Sequence, residues 1–301
     1  MCFFNLEQIV MNYRTLKRVH EGTDIADEYL VAAVSNAGGL GVLASGLLTA
    51  EQTRMRICAL RSMTNKPFAL NIAMFTDNTD ELAALVVEEG IPIVATGGGN
   101  PERYLSAWKK AGIIVIPIIP TVRAAEKMEA LGADLVVAEG MESGGHIGTQ
   151  TTMALVPQVV NAVKIPVVAA GGIADRRGVA AAFALGAVAV QMGTRFVVAN
   201  ECRVHPAYKQ TILAANGSDT VVTGAYLNNA TRCIANNLTA KLLECERRRA
   251  PREEFEALGK GAFRRAVFEG DMKNGSVICG QGVGLVTREE SVVEIMSDVM
   301  R

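Results

Sequence analysis

The sequence lacks paired cysteines and any run of residues with metal-ligand spacing. No two of its cysteines form a C-x-x-C pair; they are scattered as Cys2, Cys58, Cys202, Cys233, Cys245 and Cys279. Disulfide-rich secreted domains and zinc modules depend on such pairs. We therefore expect reduced thiols in a cytoplasmic protein that holds no metal.

The chain also lacks an excess of charge of either sign. Lys and Arg number 30 against 31 Asp and Glu, so the formal net charge is −1. Nucleic-acid-binding domains usually carry a strongly basic surface. The basic cluster Arg247-Arg248-Arg249 lies in a charged helical stretch with Glu244 and Glu246, which is typical of a solvated helix face. We expect no nucleic-acid partner.

A third absence is a long hydrophobic run. The longest strongly apolar stretch covers residues 112–120, whereas a membrane-spanning helix needs about 20 apolar residues. The N-terminus has no basic region followed by an apolar stretch, as a signal peptide would. These absences predict a soluble protein with no membrane partner.

What the sequence does contain is an alternation of short apolar runs and amphipathic segments. The apolar runs cover residues 39–44, 68–74, 91–97, 113–120, 133–140, 165–173 and 187–196. Runs that are apolar on both faces fit parallel strands buried on both sides. Helical segments separate them, at residues 27–37, 77–89, 101–111, 121–131, 152–163 and 175–185, with a further one introduced by a capping box from Thr49 to Gln52. Four helices end at Gly90, Gly112, Gly132 and Gly186, as left-handed helix ends favour.

A repeated βα unit of this kind is typical of a parallel barrel or a doubly wound sheet. Seven strands are evident, and an eighth is needed before residues 27–37 to close a barrel. Residues 1–26 offer no clean buried strand, and residues 3–10 and 16–19 are poor candidates. We predict an α/β fold, a (β/α)8 barrel with an atypical first strand.

The alternation of apolar runs and helical segments ends after residue 199. The remaining chain reads as helices at residues 205–215, 230–249, 253–259, 261–268 and 288–300. We predict a barrel over residues 1–199 and a smaller, mainly helical region over residues 200–301. The last helix is a candidate to complete the barrel wall.

In a (β/α)8 barrel the active site lies at the carboxyl ends of the strands. The segment AEGMESGGHIG at residues 138–148 follows one such strand and surrounds His146 with glycines. An imidazole on a glycine-rich loop is a good general acid or hydrogen-bond donor. His20 and His205 are better explained as structural or exposed residues.

Two further glycine-containing turns follow the last two strands, Gly171-Gly172 and Gly193-Thr194. Loops at these positions are the usual phosphate site of this fold. Asn71 is a polar residue inside an apolar strand and should contact a ligand or a network partner. Glu139 could bind ribityl hydroxyls or cap a loop, and the glycines at residues 97–99 could line the pocket or begin a helix. The segment GQGVG at residues 280–284 lacks the spacing and context of a dinucleotide fingerprint.

These motifs together resemble the flavin-dependent enoyl-acyl-carrier-protein reductase II family, within the nitronate monooxygenase superfamily. The resemblance covers roughly residues 25–301. It rests on residues 34–46, 66–74, 95–101, 138–148, 166–175 and 190–196, and on GSVICGQGVGLV at residues 275–286.

The resemblance implies a barrel that holds FMN and uses NADH or NADPH. Hydride would pass to FMN and then to the β-carbon of a trans-2-enoyl thioester, as in fatty-acid synthesis. It implies His146 as the active-site residue, an acyl-carrier-protein partner and a homodimer. The family's flavin contacts map to Asn71, Glu139, Gly144, Gly145, Gly171, Gly172, Gln191, Gly193 and Thr194.

One segment departs from the family. Its members carry a Gln-Gly-Gly-Met-like stretch near the N-terminus, whereas residues 16–24 read LKRVHEGTD. Three alternatives therefore remain: a nitronate monooxygenase, a quinone reductase on the same scaffold, and a catalytically impaired homologue with an altered N-terminus.

Overall fold

The computed structural model of the protein describes residues 25–46 and 48–300. The strands in these residues are β1 (Gly41–Ala44), β2 (Phe68–Ala73), β3 (Ile93–Gly97), β4 (Ile114–Ile119), β5 (Val136–Glu139), β6 (Gly145–His146), β7 (Val167–Ala170), β8 (Ala189–Gln191), β9 (Thr220–Thr223) and β10 (Thr231–Ile234). The α-helices are α1 (Glu28–Asn36), α2 (Ala50–Met63), α3 (Thr79–Glu88), α4 (Glu102–Lys110), α5 (Val122–Ala130), α6 (Thr152–Ala162), α7 (Arg176–Ala184), α8 (Thr194–Val197), α9 (Pro206–Ala214), α10 (Asn237–Arg247), α11 (Arg252–Gly259), α12 (Ala262–Glu269) and α13 (Val292–Val299). Short 3₁₀-helices cover Gly217–Asp219, Ala225–Leu227 and Gln281–Leu285. None of these helices is long and apolar enough to cross a membrane.

Seven strands form one parallel sheet in the order β1-β2-β3-β4-β5-β7-β8. Six of the seven are buried along their whole length, and only the first residue of β4 is partly exposed. Burial on both sides explains why the sequence shows continuous apolar runs rather than alternation. The sheet curls and its helices lie outside it, which confirms the α/β barrel prediction. The predicted position of the eighth strand falls within residues 1–24, outside the described residues.

Side-chain parity divides the core into two layers. Alternate strand residues face the barrel interior, among them Val42, Ala69, Ala95, Ile116, Val137, Val168 and Ala189. Their neighbours in sequence face the helices and form the larger cluster. Because side chains alternate along a strand, the residue two positions after an interior residue also faces the interior. This alternation decides which polar residues at the strand ends face inward.

The predicted helix-end signals at Thr49 and at the four terminal glycines are confirmed. Thr49 Oγ1 accepts the Gln52 N–H at 3.1 Å, and the Gln52 side chain accepts the Thr49 N–H at 2.9 Å, which completes the capping box of α2. The predicted terminal glycines all have positive φ angles, between 58° and 94°. These helices therefore begin and end where local chemistry directs.

The prediction of one helix over residues 230–249 is wrong. Residues Thr231–Ile234 form β10, which pairs antiparallel with β9 on one side and with β6 on the other. The helix α10 begins only at Asn237, after an Asn236 capping box. A four-residue strand has too few residues for its period to be read, and its pairing partners lie far away in sequence. This small sheet ties His146 to the C-terminal third of the chain.

The C-terminal helix α13 packs against α1 on one side and against α7 and α8 on the other. A buried ion pair lies beneath it, in which Arg195 donates to the Glu290 carboxylate. Arg195 also donates to the Ala174 carbonyl oxygen at 3.3 Å. The C-terminal segment is thus fixed to the loops that follow β7 and β8. The division of the chain at residue 199 stays a prediction.

Candidate active site

Three polar side chains face the barrel interior at the carboxyl ends of their strands. Asn71, Glu139 and Gln191 lie two residues after the interior residues of β2, β5 and β8, so strand parity turns them inward. Glu139 is in register with Ala170, and Ala170 is in register with Gln191. Only 3%, 6% and 5% of their respective surfaces are exposed. Buried polar side chains at this end of a barrel mark the expected position of a ligand.

A cavity lies at the carboxyl ends of these strands, and Glu139 and Gln191 are among its lining residues. Loops after β5, β7 and β8 and the segment before α13 supply its walls. The lining residues are Glu139, Ser143, Gly144, Ala170, Gly171, Gly172, Ile173, Ala174, Gln191, Gly193, Thr194, Gly280 and Gly282.

Seven predicted site residues line this cavity: Glu139, Gly144, Gly171, Gly172, Gln191, Gly193 and Thr194. Asn71, Gly145 and His146 are not among its lining residues. Gly145 and His146 follow Gly144 directly and form β6, while Asn71 faces the same barrel interior from β2. The Gly171-Gly172 and Gly193-Thr194 segments after β7 and β8 therefore come together at one cavity. Phosphate binding there stays a prediction.

The Gly171-Gly172 turn requires glycine at both positions. Their φ angles are +106° and +73°, which side chains rarely tolerate. A Cβ atom on Gly171 would lie 2.7 Å from Thr152 Oγ1 and 2.8 Å from the Gly140 carbonyl oxygen. The backbone of this turn can therefore approach a ligand closely, with α7 beginning just beyond it.

The cavity contains the buried amide oxygen of Gln191. Gln191 Oε1 has no hydrogen-bond partner within the described part of the chain. Leaving such an oxygen unsatisfied costs about 1–3 kcal/mol. A hydroxyl or ring N–H of a bound ligand would satisfy it, so the residues present fit a polar, phosphate-bearing cofactor such as FMN.

His146 lies in β6, opposite Thr231 of β10. The Ile147 N–H donates to the Ala230 carbonyl oxygen at 3.0 Å, so the backbone on both sides of the imidazole is anchored. The imidazole contacts the Phe75 ring, with centroids 5.5 Å apart and planes tilted by 59°. His146 is thus held on a small sheet rather than on a free loop.

His205 has a structural role, one of the two explanations that the sequence left open. Its Nδ1 atom accepts the Ala207 N–H at 3.1 Å and so caps α9.

Glu142 supports the glycine-rich segment, a role that sequence reasoning missed. Its carboxylate accepts the Thr152 N–H at 3.0 and 2.9 Å and the Thr152 hydroxyl at 3.0 Å. The same hydroxyl lies 2.9 Å from the Gly171 carbonyl oxygen. One carboxylate therefore caps α6 and links two walls of the cavity.

Replacing Glu142 with alanine is expected to lower the free energy of unfolding by about 1–2 kcal/mol, the usual cost of a lost helix cap. The Glu142→Gln variant keeps one acceptor and should lose less. Urea unfolding checks both, with the exposed Glu126 of α5 replaced by alanine as a control. Equal stability of Glu142→Ala and the control would contradict this role.

Arg232 supports the same segment from β10. It is 4% exposed, and its guanidinium donates to the Met141 carbonyl oxygen at 3.1 and 3.0 Å and to Thr220 Oγ1 at 3.0 Å. Burial lowers the pKa of Arg232. The buried cation thus fixes the backbone just before Glu142.

Two buried thiols lie behind the glycine-rich segment. A Cβ atom on Gly144 would lie 2.6 Å from the Cys279 carbonyl carbon, so the two backbones touch. Burial raises the pKa of Cys233 to about 11 and raises the pKa of Cys279 further. Both thiols are protonated at neutral pH and pack as small apolar groups.

The GQGVG segment lines the cavity through Gly280 and Gly282. It forms a short 3₁₀-helix, so rejecting a dinucleotide fingerprint agrees with the structure. The Gly280 N–H donates to Thr194 Oγ1 at 2.9 Å, which joins it to the loop after β8. The sequence signal for this wall was the resemblance of residues 275–286 to the family, since periodicity carries no information on such a contact.

Comparison with known proteins gives matches in the superfamily that the sequence motifs resemble. A family model described as nitronate monooxygenase matches residues 16–86 and 80–301, so the match also includes residues 16–24. The structure of FabK from Thermotoga maritima superimposes with a TM-score of 0.92 at 44% identity, covering 98% of this chain and 92% of that chain. A Mycobacterium tuberculosis octahydro-1H-indene-4-carboxyl-CoA dehydrogenase is 37% identical over 80% of this chain and 68% of its own length. A probable nitronate monooxygenase of Bacillus subtilis is 31% identical over 90% of both chains.

Proposed function

This chain belongs to the nitronate monooxygenase family of FMN-dependent oxidoreductases, and we propose that within it the chain is an enoyl-acyl-carrier-protein reductase. The observation that carries the proposal is the similarity to FabK, an enoyl-acyl-carrier-protein reductase II, across almost the whole chain. The identity to FabK also exceeds that to the Bacillus subtilis relative. By its name, the Mycobacterium tuberculosis relative acts on a carboxyl-CoA, a thioester like the substrate proposed here.

Different residues of the site would bind different parts of FMN. Gly171, Gly172, Gly193 and Thr194 would hold its phosphate, since their loops meet at one wall of the cavity. Glu139 and Gln191 would bind ribityl or ring groups, with Asn71 and the backbone of Gly144 and Gly145 completing the contacts. The chemistry that FMN supplies when bound is a two-electron relay from NADH or NADPH to the β-carbon of a trans-2-enoyl thioester.

His146 would act on the other carbon of the double bond. As hydride reaches the β-carbon, negative charge develops on the thioester oxygen and the α-carbon must gain a proton. An imidazole N–H can donate a hydrogen bond to that oxygen or deliver the proton.

We propose that the thioester arrives on an acyl carrier protein, in a cytoplasmic homodimer of this chain. Among the basic residues that sequence reasoning considered for that partner, Lys209 and Arg232 are buried and Arg203 pairs with Asp27 and Glu28. Lys241 on α10 is exposed and remains a candidate contact.

The test is an anaerobic absorbance titration of the FMN-loaded protein. NADH or NADPH should bleach the flavin band, and an enoyl thioester should then restore it, because electrons leave the flavin only for an unsaturated acceptor. The saturated thioester of the same length is the control and should restore nothing. A flavin band that ignores both nicotinamides would overturn the reductase proposal.

The nitronate monooxygenase function is the second candidate, favoured by the name of the matching family model. It would appear in the same titration as a flavin that ignores NADH and NADPH but reacts with an alkyl nitronate. Protein that cannot be loaded with FMN at all would instead point to the impaired homologue.

A further inference from the structure

Phe75 occupies a distinctive position beside His146. It lies two residues beyond the end of β2, and the preceding Met74 N–H donates to the Gly97 carbonyl oxygen at 2.9 Å. Its ring centroid lies 5.5 Å from that of the imidazole, at a 59° tilt. This distance and tilt are within the range in which aromatic rings attract each other.

Gly98 also contacts the Phe75 ring. A Cβ atom on Gly98 would lie 2.3 Å from two carbons of the Phe75 ring, and the φ angle of Gly98 is +72°. The glycine therefore leaves the space that the ring fills. The sequence left open why a glycine stands at position 98. The structure gives the reason, because only a residue without a side chain accommodates the Phe75 ring there.

We propose that Phe75 is a positioning residue that sets the ring orientation of His146. This inference rests on the proposed function, in which the imidazole acts on the thioester. The backbone of His146 is anchored by β10, but pairing of strands does not fix the two side-chain torsions of a histidine. The Phe75 ring, held against Gly98, removes that freedom on one side.

The consequence is kinetic. A catalytic group misplaced by about 1 Å can lose on the order of 100-fold in rate. Phe75 does not need to touch the substrate for this effect, since it acts through the imidazole. Its removal should slow the thioester half-reaction and leave the nicotinamide half-reaction unchanged.

The first test is a double-mutant cycle with Phe75→Leu and His146→Ala. We expect Phe75→Leu to lower kcat for enoyl thioester reduction about 10-fold, with unchanged bleaching of the flavin by NADH. Phe75→Tyr keeps the ring and should restore the wild-type rate. In the His146→Ala background, Phe75→Leu should cause no further loss. Additive losses would overturn the inference.

A second measurement does not depend on the reaction. In protein labelled with ¹³C at the imidazole Cε1 positions, Phe75→Leu and Gly98→Ala should each shift the His146 resonance, because each removes or displaces the neighbouring ring. The His205 resonance is the matched control, since that imidazole caps α9. An unmoved His146 resonance would overturn the inference.

The two failures are distinguishable. If the wild-type protein does not reduce enoyl thioesters but oxidises nitronates, the proposed function fails and the same cycle is measured with the nitronate. If the wild-type protein reduces thioesters and the cycle is additive, the role of Phe75 fails alone.

Discussion

Enoyl thioester reduction by the His146→Ala variant is expected to be about 10²–10⁴-fold slower than by the wild-type protein, the usual range for a lost general acid. The flavin should remain bound, because His146 is not among the proposed flavin contacts. Bleaching by NADH should therefore be unchanged. Stopped-flow measurement of the two half-reactions separates these effects.

His146→Gln is the informative companion variant. A glutamine amide can donate a hydrogen bond to the thioester oxygen but cannot deliver a proton. Partial activity in His146→Gln would identify hydrogen bonding as the main contribution, whereas equal loss in both variants would identify proton delivery. Wild-type turnover in His146→Ala would remove this residue from the mechanism.

Replacing Gly171 with alanine is expected to have the second large effect, a loss of FMN affinity of at least about 10-fold together with reduced stability. The φ angle of +106° strains any side chain, and the new Cβ atom would lie 2.7 Å from Thr152 Oγ1 and 2.8 Å from the Gly140 carbonyl oxygen. A left-handed conformation costs about 1–2 kcal/mol, and overpacking costs about 1–3 kcal/mol more. The turn must shift, and the cavity wall shifts with it.

Gly132→Ala is the matched control for this prediction. Its φ angle is +91°, but no atom lies within 4 Å of its added Cβ. This variant should lose stability through strain alone and keep the wild-type dissociation constant for FMN. The dissociation constant is measured by titrating the apoprotein with FMN, and the stability by urea unfolding. Equal FMN affinity in the two variants would contradict the assignment of Gly171 to the cofactor site.

Much of the barrel was readable from the sequence because its signals are local. Continuous apolar runs predicted the strands that are buried on both faces. Thr49 and the terminal glycines predicted helix ends. These features depend on residues within one or two turns of each other. The strand Thr231–Ile234 was missed because its partners, Gly145–His146 and Thr220–Thr223, contribute the pairing that its own four residues cannot indicate.

For the site, residue type and position at strand ends by themselves singled out Glu139, Gly171-Gly172 and Gly193-Thr194 as candidates, and the resemblance to the family added Gln191. Only the tertiary structure decided that Gly280 and Gly282 complete the cavity wall, that Glu142 caps α6 and that Phe75 packs on Gly98 against His146. The physical reason is that residue type and spacing along one strand are properties of the chain. Contacts between segments far apart in sequence exist only once the barrel has brought its strand ends together.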